Sequence, residues 1–261
     1  MVKIFKKDTT SDDAYDFIKK GANKRLVWKK FSASCDKKVE EKPFTYFMAG
    51  APGSGKTELI KKHLAHILDN CIVADADEIR NLLPQYDGKN SHKVQRAASK
   101  GVDVLYDNSL KRKYNIIVDG TFSLSYKKCR ENIARSLNKN RPVGIIYLYT
   151  DPKVAWTYAK KREYTEGRKI RIRTFVKSFF KSRDNINKIK NEFGKEVYIS
   201  GIRSNYGNIG EKSEVRADIA SVDEIKKIDY NYLSLWMIIL YANILLQIDR
   251  LWKKIRKITK K

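Results

Sequence analysis

The sequence is poor in the residues that build disulfide frameworks and metal centres. Its 261 residues include three cysteines, Cys35, Cys71 and Cys129, and none of them belongs to a C-x-x-C pair. An odd number of isolated cysteines is typical of a reducing compartment and argues against a disulfide scaffold. The chain also has only three histidines, too few to indicate a metal centre, although His63 and His66 lie on one predicted helix.

The first residues lack the apolar core of a secretion signal. The initial lysines are followed by Asp8, Asp12 and Asp13, where a signal peptide would have an uninterrupted apolar segment. We therefore expect a cytoplasmic protein.

Acidic residues are scarce beside basic ones. The 30 aspartates and glutamates stand against 55 lysines and arginines, which gives a formal net charge of +25. Such an excess can indicate a nucleic acid, an anionic membrane or a highly charged substrate. The lysines are scattered, however, and no DNA- or RNA-binding signature accompanies them, so solvated helix faces explain the excess equally well. Nucleic acid is therefore a disfavoured partner.

A glycine-rich segment is the most informative part of the chain. Gly50–Thr57 fits the P-loop pattern G-x-x-x-x-G-K-[ST], between a predicted strand at 44–48 and a predicted helix at 58–68. In this pattern backbone N–H groups face a polyphosphate, Lys56 reaches the β- and γ-phosphates, and the Thr57 hydroxyl can bind Mg²⁺. The predicted phosphate-binding residues are Gly50, Ala51, Pro52, Gly53, Ser54, Gly55, Lys56 and Thr57.

Short apolar runs alternate with helical patterns along the next 150 residues or so. After the first strand, strands are predicted at 71–74, 115–119, 142–149 and 196–199, and helices at 94–110, 125–138, 154–167 and 175–193. This alternation predicts an α/β fold of the P-loop kinase type, with a doubly wound parallel five-stranded sheet, flanking helices and an extra C-terminal helix. The predicted divisions are a helical preface at 1–42, a kinase domain at 43–210 and an extension at 211–261. Within the preface, Ser11 is predicted to cap a helix.

Carboxylates follow the predicted second and third strands. Asp75 and Asp77 come after the second and Asp119 after the third, at the sheet edge where open α/β folds bind ligands. Any one of them alone could be a helix cap or a surface ion pair. Gly120 stands where motor-type ATPases usually have a hydrolytic glutamate, and no [NT]-K-x-D segment of a GTPase is evident.

Arginines crowd the position expected for a lid over the phosphates. They are Arg162, Arg168, Arg171 and Arg173. Arginines can offset the charge on a transferred phosphoryl group, and a carboxylate beside the acceptor can take its hydroxyl proton. Together with the P-loop, these residues favour a kinase for a small substrate.

The last segment departs from the alternation of strands and helices. Residues 230–246 are almost wholly apolar, and the helical spacing continues to Ile255 with basic residues mostly on the other side. The apolar run is shorter than the ~20 residues of a typical transmembrane helix, so no span is predicted. A helix folded onto the domain and an amphipathic helix that contacts a membrane surface or a partner both remain open.

From about Asp12 to about Gly210 the sequence resembles the zeta toxin family of P-loop kinases. The matching segments are 47–59, 75–84, 118–122, 162–168 and 182–194, and the run from Asp75 to Arg80 is more specific than the P-loop. The resemblance implies ATP-dependent phosphorylation of a sugar hydroxyl on UDP-N-acetylglucosamine or a related nucleotide sugar. It also implies a toxin that a cognate antitoxin often holds inactive.

The resemblance further implies roles for individual residues. Lys56 would hold the phosphates of ATP, Thr57 would bind Mg²⁺, and Asp77 would accept the proton of the sugar hydroxyl. Arg162 and Arg168 would stabilise the transferring phosphate. The implied substrate-binding residues are Asp77, Arg80, Asp119 and Thr121.

The chain departs from the family pattern at two positions, and its apolar tail has no identifiable counterpart in the family. Asp119 stands where the well-known toxins have glutamate, and the shorter side chain bears on sugar specificity. Arg171 stands where a proline is usual, so Arg171 and Arg173 remain candidates beside Arg168 for the second lid arginine.

Two other functions are compatible with the sequence. One is a P-loop kinase for a different acceptor, such as a nucleoside, an antibiotic or a polynucleotide end. The other is a nucleotide-dependent module that binds a membrane or a partner through residues 230–261.

Overall fold

A six-stranded sheet lies at the centre of the computed structural model, which describes residues 9–33, 35, 41–64, 68, 70–204 and 213–258. Successive residues of the strands point to opposite faces of the sheet and belong to two separate apolar clusters. Helices cover both of these apolar faces. The strands are β1 Thr45–Ala49, β2 Cys71–Asp75, β3 Asn115–Asp119, β4 Val143–Tyr149, β5 Val197–Arg203 and β6 Glu214–Arg216.

The strand order is β2-β3-β1-β4-β5-β6, and the first five strands in this order are parallel. The predicted doubly wound parallel sheet is therefore confirmed. All seven residues of β4 are buried, as expected for a central strand covered on both faces. The structure adds β6, a short antiparallel edge strand beside β5 that the sequence did not predict. Its three residues include Glu214 and Arg216, so no apolar run marks it.

Nine α-helices have defined bounds in the described ranges. They are α1 Thr10–Lys19, α2 Gly21–Ser32, α3 Lys56–His63, α4 Ala76–Arg80, α5 Ser91–Arg112, α6 Tyr126–Leu137, α7 Pro152–Glu166, α8 Ile172–Phe193 and α9 Tyr232–Ile258. Part of the predicted helix at 58–68 lies outside the described residues.

Local sequence explains several helix ends. The side chains of Ser125 and Asp151 accept backbone hydrogen bonds at the starts of α6 and α7, and Gly167 ends α7 in the left-handed conformation. The predicted cap at Ser11 is wrong, because Ser11 lies inside the first turn of α1 and Thr9 precedes the helix.

The preface packs mainly against another helix. The buried residues Ala14, Ile18 and Val27 belong to the main apolar cluster, and α1 and α2 lie against α5. They thus reinforce the layer over β2 and β3, whose carboxyl ends carry Asp75 and Asp119.

The final helix, α9, packs against α8 and α7 on one side. Leu235 and Ile239 are fully buried there. Among the described residues one stretch, Tyr232–Arg250, has the length and composition to cross a membrane, and 11% of it is buried. The core helix of a soluble protein can meet the same criterion of length and composition.

Candidate active site

The phosphate-binding loop requires glycine at two positions, where its backbone passes close to a carbonyl oxygen of another segment. Gly50 has φ +135°, and a Cβ there would lie 2.3 Å from the carbonyl oxygen of Leu148. Gly53 has φ +78°, and a Cβ there would lie 2.2 Å from the carbonyl oxygen of Ala155. Any side chain at these positions would collide with backbone atoms, so the path of the loop depends on both glycines.

Residues distant in sequence fix this loop in place. The Gly50 N–H faces the carbonyl oxygen of Thr121 at 3.3 Å and the hydroxyl oxygen of Ser182 at 3.1 Å. The Thr150 hydroxyl donates to the carbonyl oxygen of Ser54 at 2.9 Å. Sequence analysis missed Ser182 and Thr150, because nothing in the local pattern links a serine on α8 or a threonine after β4 to the loop.

Lys56 lies inside the loop that precedes it. Its Nζ donates to the carbonyl oxygens of Ala51 at 2.7 Å and Gly50 at 3.2 Å, and to the Ser54 hydroxyl at 3.1 Å. Burial lowers the pKa of Lys56 to about 8, and the Asp119 carboxylate partly opposes this shift. The ammonium group therefore stays mostly protonated at neutral pH, where it can bind an anionic phosphate.

Thr57 and Asp119 form an oxygen pair beside the loop. The Thr57 hydroxyl donates to Asp119 Oδ2 at 2.8 Å. Burial raises the pKa of Asp119, whereas Lys56 and the Thr57 hydrogen bond lower it. A hydroxyl and a carboxylate are donors that suit Mg²⁺, which takes few protein ligands and completes its shell with water and phosphate oxygens. These two residues fit the predicted metal.

Asp77 lies at the start of α4, directly after β2. Asp75 Oδ1 accepts a hydrogen bond from the Asp77 N–H at 2.8 Å, which fixes the turn from strand to helix. Three arginines meet the Asp77 carboxylate: Arg80 contacts Oδ1, Arg168 contacts Oδ2, and Arg162 lies 3.6 Å from Oδ2. The cluster thus joins α4 to the end of α7.

Two further residues hold these arginines in position. The Gln95 amide oxygen accepts a hydrogen bond from Arg80 at 2.8 Å. A Glu166 carboxylate oxygen lies 3.1 Å from Arg162 and 3.5 Å from Arg168. Gln95 was missed because it lies on α5, outside every motif of the sequence.

The structure distinguishes among the candidate lid arginines. Arg168 follows the left-handed Gly167 and turns back to Asp77, whereas Arg171 and Arg173 are exposed at the start of α8. The described contacts therefore bring Arg162 and Arg168 into the cluster with Asp77.

Asp75 lies between the Asp77 cluster and the Thr57–Asp119 pair. It is the register partner of Asp119 on the neighbouring strand. Burial, followed by repulsion from Asp77 and Asp119, raises the pKa of Asp75 to about 7. Sequence analysis placed Asp75 at this edge but gave it no role.

Thr121 lies apart from Asp77, at the root of the phosphate-binding loop. Its hydroxyl shares a 2.6 Å hydrogen bond with the Ser123 hydroxyl, and its carbonyl oxygen faces Gly50 N–H. This geometry supports the loop and does not bring Thr121 into the lining of the cleft described next.

A cleft of about 710 Å³ lies beside the Asp77 cluster, between α4 and the end of α7. Thr57, Asp75 and Asp77 line one side, and residues 86–89 and 162–168 line the other. Gly167 closes against the 86–89 loop, since a Cβ there would lie 2.1 Å from the Gly88 carbonyl oxygen. The volume falls in the range of small-molecule sites, and the lining includes Asp77 and Thr57, the last residue of the phosphate-binding loop.

Comparison with known proteins identifies the family. A sequence model of the zeta toxin family matches residues 30–213. No curated protein matches the chain at a significant level.

Solved structures share the fold at low sequence identity. A structure from the PezAT chromosomal toxin–antitoxin system of Streptococcus pneumoniae has a TM-score of 0.57 at 18% identity, covering 94% of this chain and 99% of that chain. The AvrRxo1-ORF1:AvrRxo1-ORF2 complex has a TM-score of 0.60 at 14% identity, covering 82% and 76% of the two chains. The same complex with ATP has a TM-score of 0.54 at 14% identity, covering 78% of this chain and 63% of that chain.

The family match covers more than half of the chain, and it confirms the resemblance seen in the motifs. The fold agrees, since the phosphate-binding loop follows β1, a central strand of the mostly parallel sheet, and the PezAT structure shares the fold over 94% of this chain. The chain belongs to the zeta toxin family and is a P-loop kinase by its fold and its nucleotide-binding loop.

Proposed function

We propose that the protein transfers the γ-phosphoryl group of ATP to a sugar hydroxyl of UDP-N-acetylglucosamine or a related nucleotide sugar. The observation that carries this proposal is the position of Asp77. Its carboxylate lies in a cleft shared with Thr57 and is surrounded by Arg80, Arg162 and Arg168. A carboxylate and lid arginines on the phosphate-binding edge are what transfer to a hydroxyl requires.

The donor side is formed by the loop itself. Its backbone N–H groups and Lys56 would bind the phosphates of ATP, and Thr57 with Asp119 would hold Mg²⁺. When bound, Mg²⁺ would neutralise phosphate charge and fix the orientation of the triphosphate.

The acceptor side works through Asp77. Asp77 would take the proton of the sugar hydroxyl while the hydroxyl oxygen forms a bond to the γ-phosphorus and the bond to the ADP oxygen breaks. Arg162 and Arg168 now contact Asp77 Oδ2. An entering triphosphate offers them a more highly charged partner, which would free Oδ2 to accept the proton.

Of the four expected substrate-binding residues, Asp77 and Arg80 line the cleft, whereas Asp119 and Thr121 lie outside its lining and would act on the substrate only indirectly. Arg80 is buried, and both Asp77 and Gln95 engage it, so it would act mainly by orienting Asp77. Thr121 would act through the loop that it supports, since its hydroxyl is bonded to Ser123.

We further propose that the protein works in the cytoplasm and is held inactive there by a cognate antitoxin. Family membership supports this, as does the similarity in fold to a protein of a toxin–antitoxin system. An antitoxin that covers the cleft would exclude ATP, so adding it should abolish ATP binding.

A transfer assay tests the proposal directly. The protein is incubated with ATP, Mg²⁺ and UDP-N-acetylglucosamine, and mass spectrometry follows the phosphorylated sugar nucleotide. Asp77→Asn should lower kcat by about 10²–10⁴-fold while ATP binding is retained, because only the base is removed. Asp87→Asn is the matched control, since Asp87 lines the same cleft but accepts hydrogen bonds from Lys89 and Asn90 and lies near Lys93, away from the arginines around Asp77.

The alternative acceptors are tested in the same assay. A product with a nucleoside or an antibiotic, and none with nucleotide sugars, would replace the proposed substrate class. The net charge of +25 favours a polynucleotide end among the alternatives. Binding to an oligonucleotide that weakens steeply with salt, together with transfer to its end, would establish that activity.

A further inference from the structure

The outer face of α9 is an apolar stripe. Seven large apolar side chains on this helix are between 45% and 68% exposed. They are Leu233, Met237, Tyr241, Ile244, Leu245, Ile248 and Trp252. At about 100° per residue these positions fall within an arc of about 120°, so they form one continuous face of the helix.

The opposite face of α9 is held on the kinase domain. Leu235 and Ile239 are fully buried, and Trp236 and Leu246 pack against the same cluster. Near the far end, the Arg250 guanidinium lies 3.6 Å from the ring centroid of Tyr164 on α7. The helix therefore lies along the domain, and a membrane span would require it to leave these contacts.

We propose that this stripe binds the surface of an anionic lipid bilayer, with α9 lying in the plane of the interface. Three observations select this occupant over another protein. The first is charge: the chain carries a net charge of +25, and Lys253 and Arg256 are exposed near the end of the stripe, where Lys253 also pairs with Asp249 at 2.7 Å. Anionic headgroups attract such residues, and apolar side chains beside them enter the acyl boundary.

The second observation is the composition of the stripe. Tyr241 and Trp252 lie among aliphatic residues on the exposed face. Aromatic side chains with a polar tip favour the level of the lipid headgroups, where one end of the ring is apolar and the other hydrated.

The third observation is the shape of the stripe. A two-helix seam between copies of the chain would need apolar residues repeating every 3.5 residues in a narrow line. Met237, Tyr241, Ile244 and Ile248 alone would fit such a seam, but Leu233, Leu245 and Trp252 widen the face to the full arc of about 120°. A broad face fits a flat apolar boundary better than a single partner helix.

Vesicle flotation with the full chain tests this inference. Vesicles of phosphatidylcholine with phosphatidylglycerol should carry the protein upward, whereas pure phosphatidylcholine should carry about tenfold less. The double variant Met237→Glu with Ile248→Glu should lose at least about tenfold of the binding to anionic vesicles, since both charges enter the stripe. The double variant Leu26→Glu with Val215→Glu is the control, because these residues are 54% and 65% exposed outside α9.

The outcomes separate the alternatives. Equal flotation of the wild type and the α9 variant overturns the proposal, as does the absence of flotation of the wild type. A dimer by light scattering that the α9 variant alone disrupts, without vesicle binding, assigns the stripe to a second copy and also overturns it. Both variants should unfold at the same temperature as the wild type. A loss of binding then comes from the change to the stripe and not from a loss of the fold. Kinase activity without vesicles should stay unchanged, so the result does not depend on the proposed acceptor.

Discussion

The phosphate-binding loop and the Asp77 cluster share one edge of the sheet but are stabilised by different interactions. The loop depends on backbone sterics, since Gly50 and Gly53 each approach a carbonyl oxygen too closely for any side chain. The cluster depends on charge, since one carboxylate is contacted by three guanidinium groups. The loop therefore has one conformation fixed by packing, whereas the cluster has an arrangement that a phosphate can change.

The difference bears on how the site works. A rigid loop presents its N–H groups to ATP without reorganisation, which favours tight binding of the donor. The three arginines outnumber the two carboxylates, Asp77 and Glu166, so the cluster carries excess positive charge at the point where a phosphoryl group would pass. We expect mutations in the loop to abolish nucleotide binding and mutations in the cluster to spare binding and slow transfer.

The largest effect is expected from Gly53→Ala. The new Cβ would lie 2.2 Å from the Ala155 carbonyl oxygen, at a φ of +78° that alanine disfavours. We expect ATP binding to fall below detection by calorimetry and the protein to lose about 1–3 kcal/mol of stability. Gly21→Ala is the control, since a Cβ there meets nothing within 4 Å. ATP binding by Gly53→Ala at wild-type affinity would show that the loop is not sterically fixed.

The next largest effect is expected from Arg168→Ala. This residue contacts Asp77 and faces the cleft, so its removal should lower kcat by about 10²–10³-fold with little change in the dissociation constant of ATP. The control is Arg171→Ala, which removes an exposed arginine at the start of α8 and should leave kcat close to wild type. A larger loss of kcat for Arg171→Ala than for Arg168→Ala would make Arg171 the lid arginine and contradict this prediction.

This contrast also explains what could be predicted from the sequence. The loop was predicted residue by residue, because its geometry is set by glycines adjacent in the chain. The parallel sheet was predicted from apolar runs, but β6 was not, since its residues Glu214 and Arg216 carry no apolar signal. The choice between Arg168 and Arg171 depended on where α7 turns at Gly167, and the roles of Gln95 and Ser182 depended on contacts between distant helices. Tertiary packing decides such features, and a local pattern does not contain them.

A moderate effect is expected from Thr57→Val, which changes the donor half without disturbing its backbone. Valine keeps the shape of the side chain but loses the hydroxyl that donates to Asp119 at 2.8 Å. We expect about a 10–100-fold loss of kcat and a higher Mg²⁺ concentration at half-maximal activity, because one oxygen donor is gone. Thr57→Ser retains the hydroxyl and should stay near wild type in a Mg²⁺ titration. An unchanged Mg²⁺ requirement in Thr57→Val would remove Thr57 from the metal site.

The smallest effect on kcat is expected from Asp75→Asn, at the boundary between the two halves, and its main effect should be on the pH dependence of stability. Asparagine can still accept the Asp77 N–H hydrogen bond, so the substitution removes charge and keeps the helix cap.

The pKa of Asp75 is raised from 3.8 to about 7 by burial and by the neighbouring carboxylates. Below pH ~4 the group is protonated in both the folded and the unfolded chain, and its contribution to stability is fully present. As the pH rises towards 7 the unfolded chain loses this proton first, so the contribution declines and is lost above the folded pKa. Stability of the wild type relative to Asp75→Asn should therefore fall between pH 4.5 and pH 8, measured as urea midpoints in EDTA. A difference in stability between the wild type and Asp75→Asn that stays constant over this range would mean that Asp75 is already ionised in the folded protein at pH 4.5. The repulsion of Asp75 by Asp77 and Asp119 would then be absent.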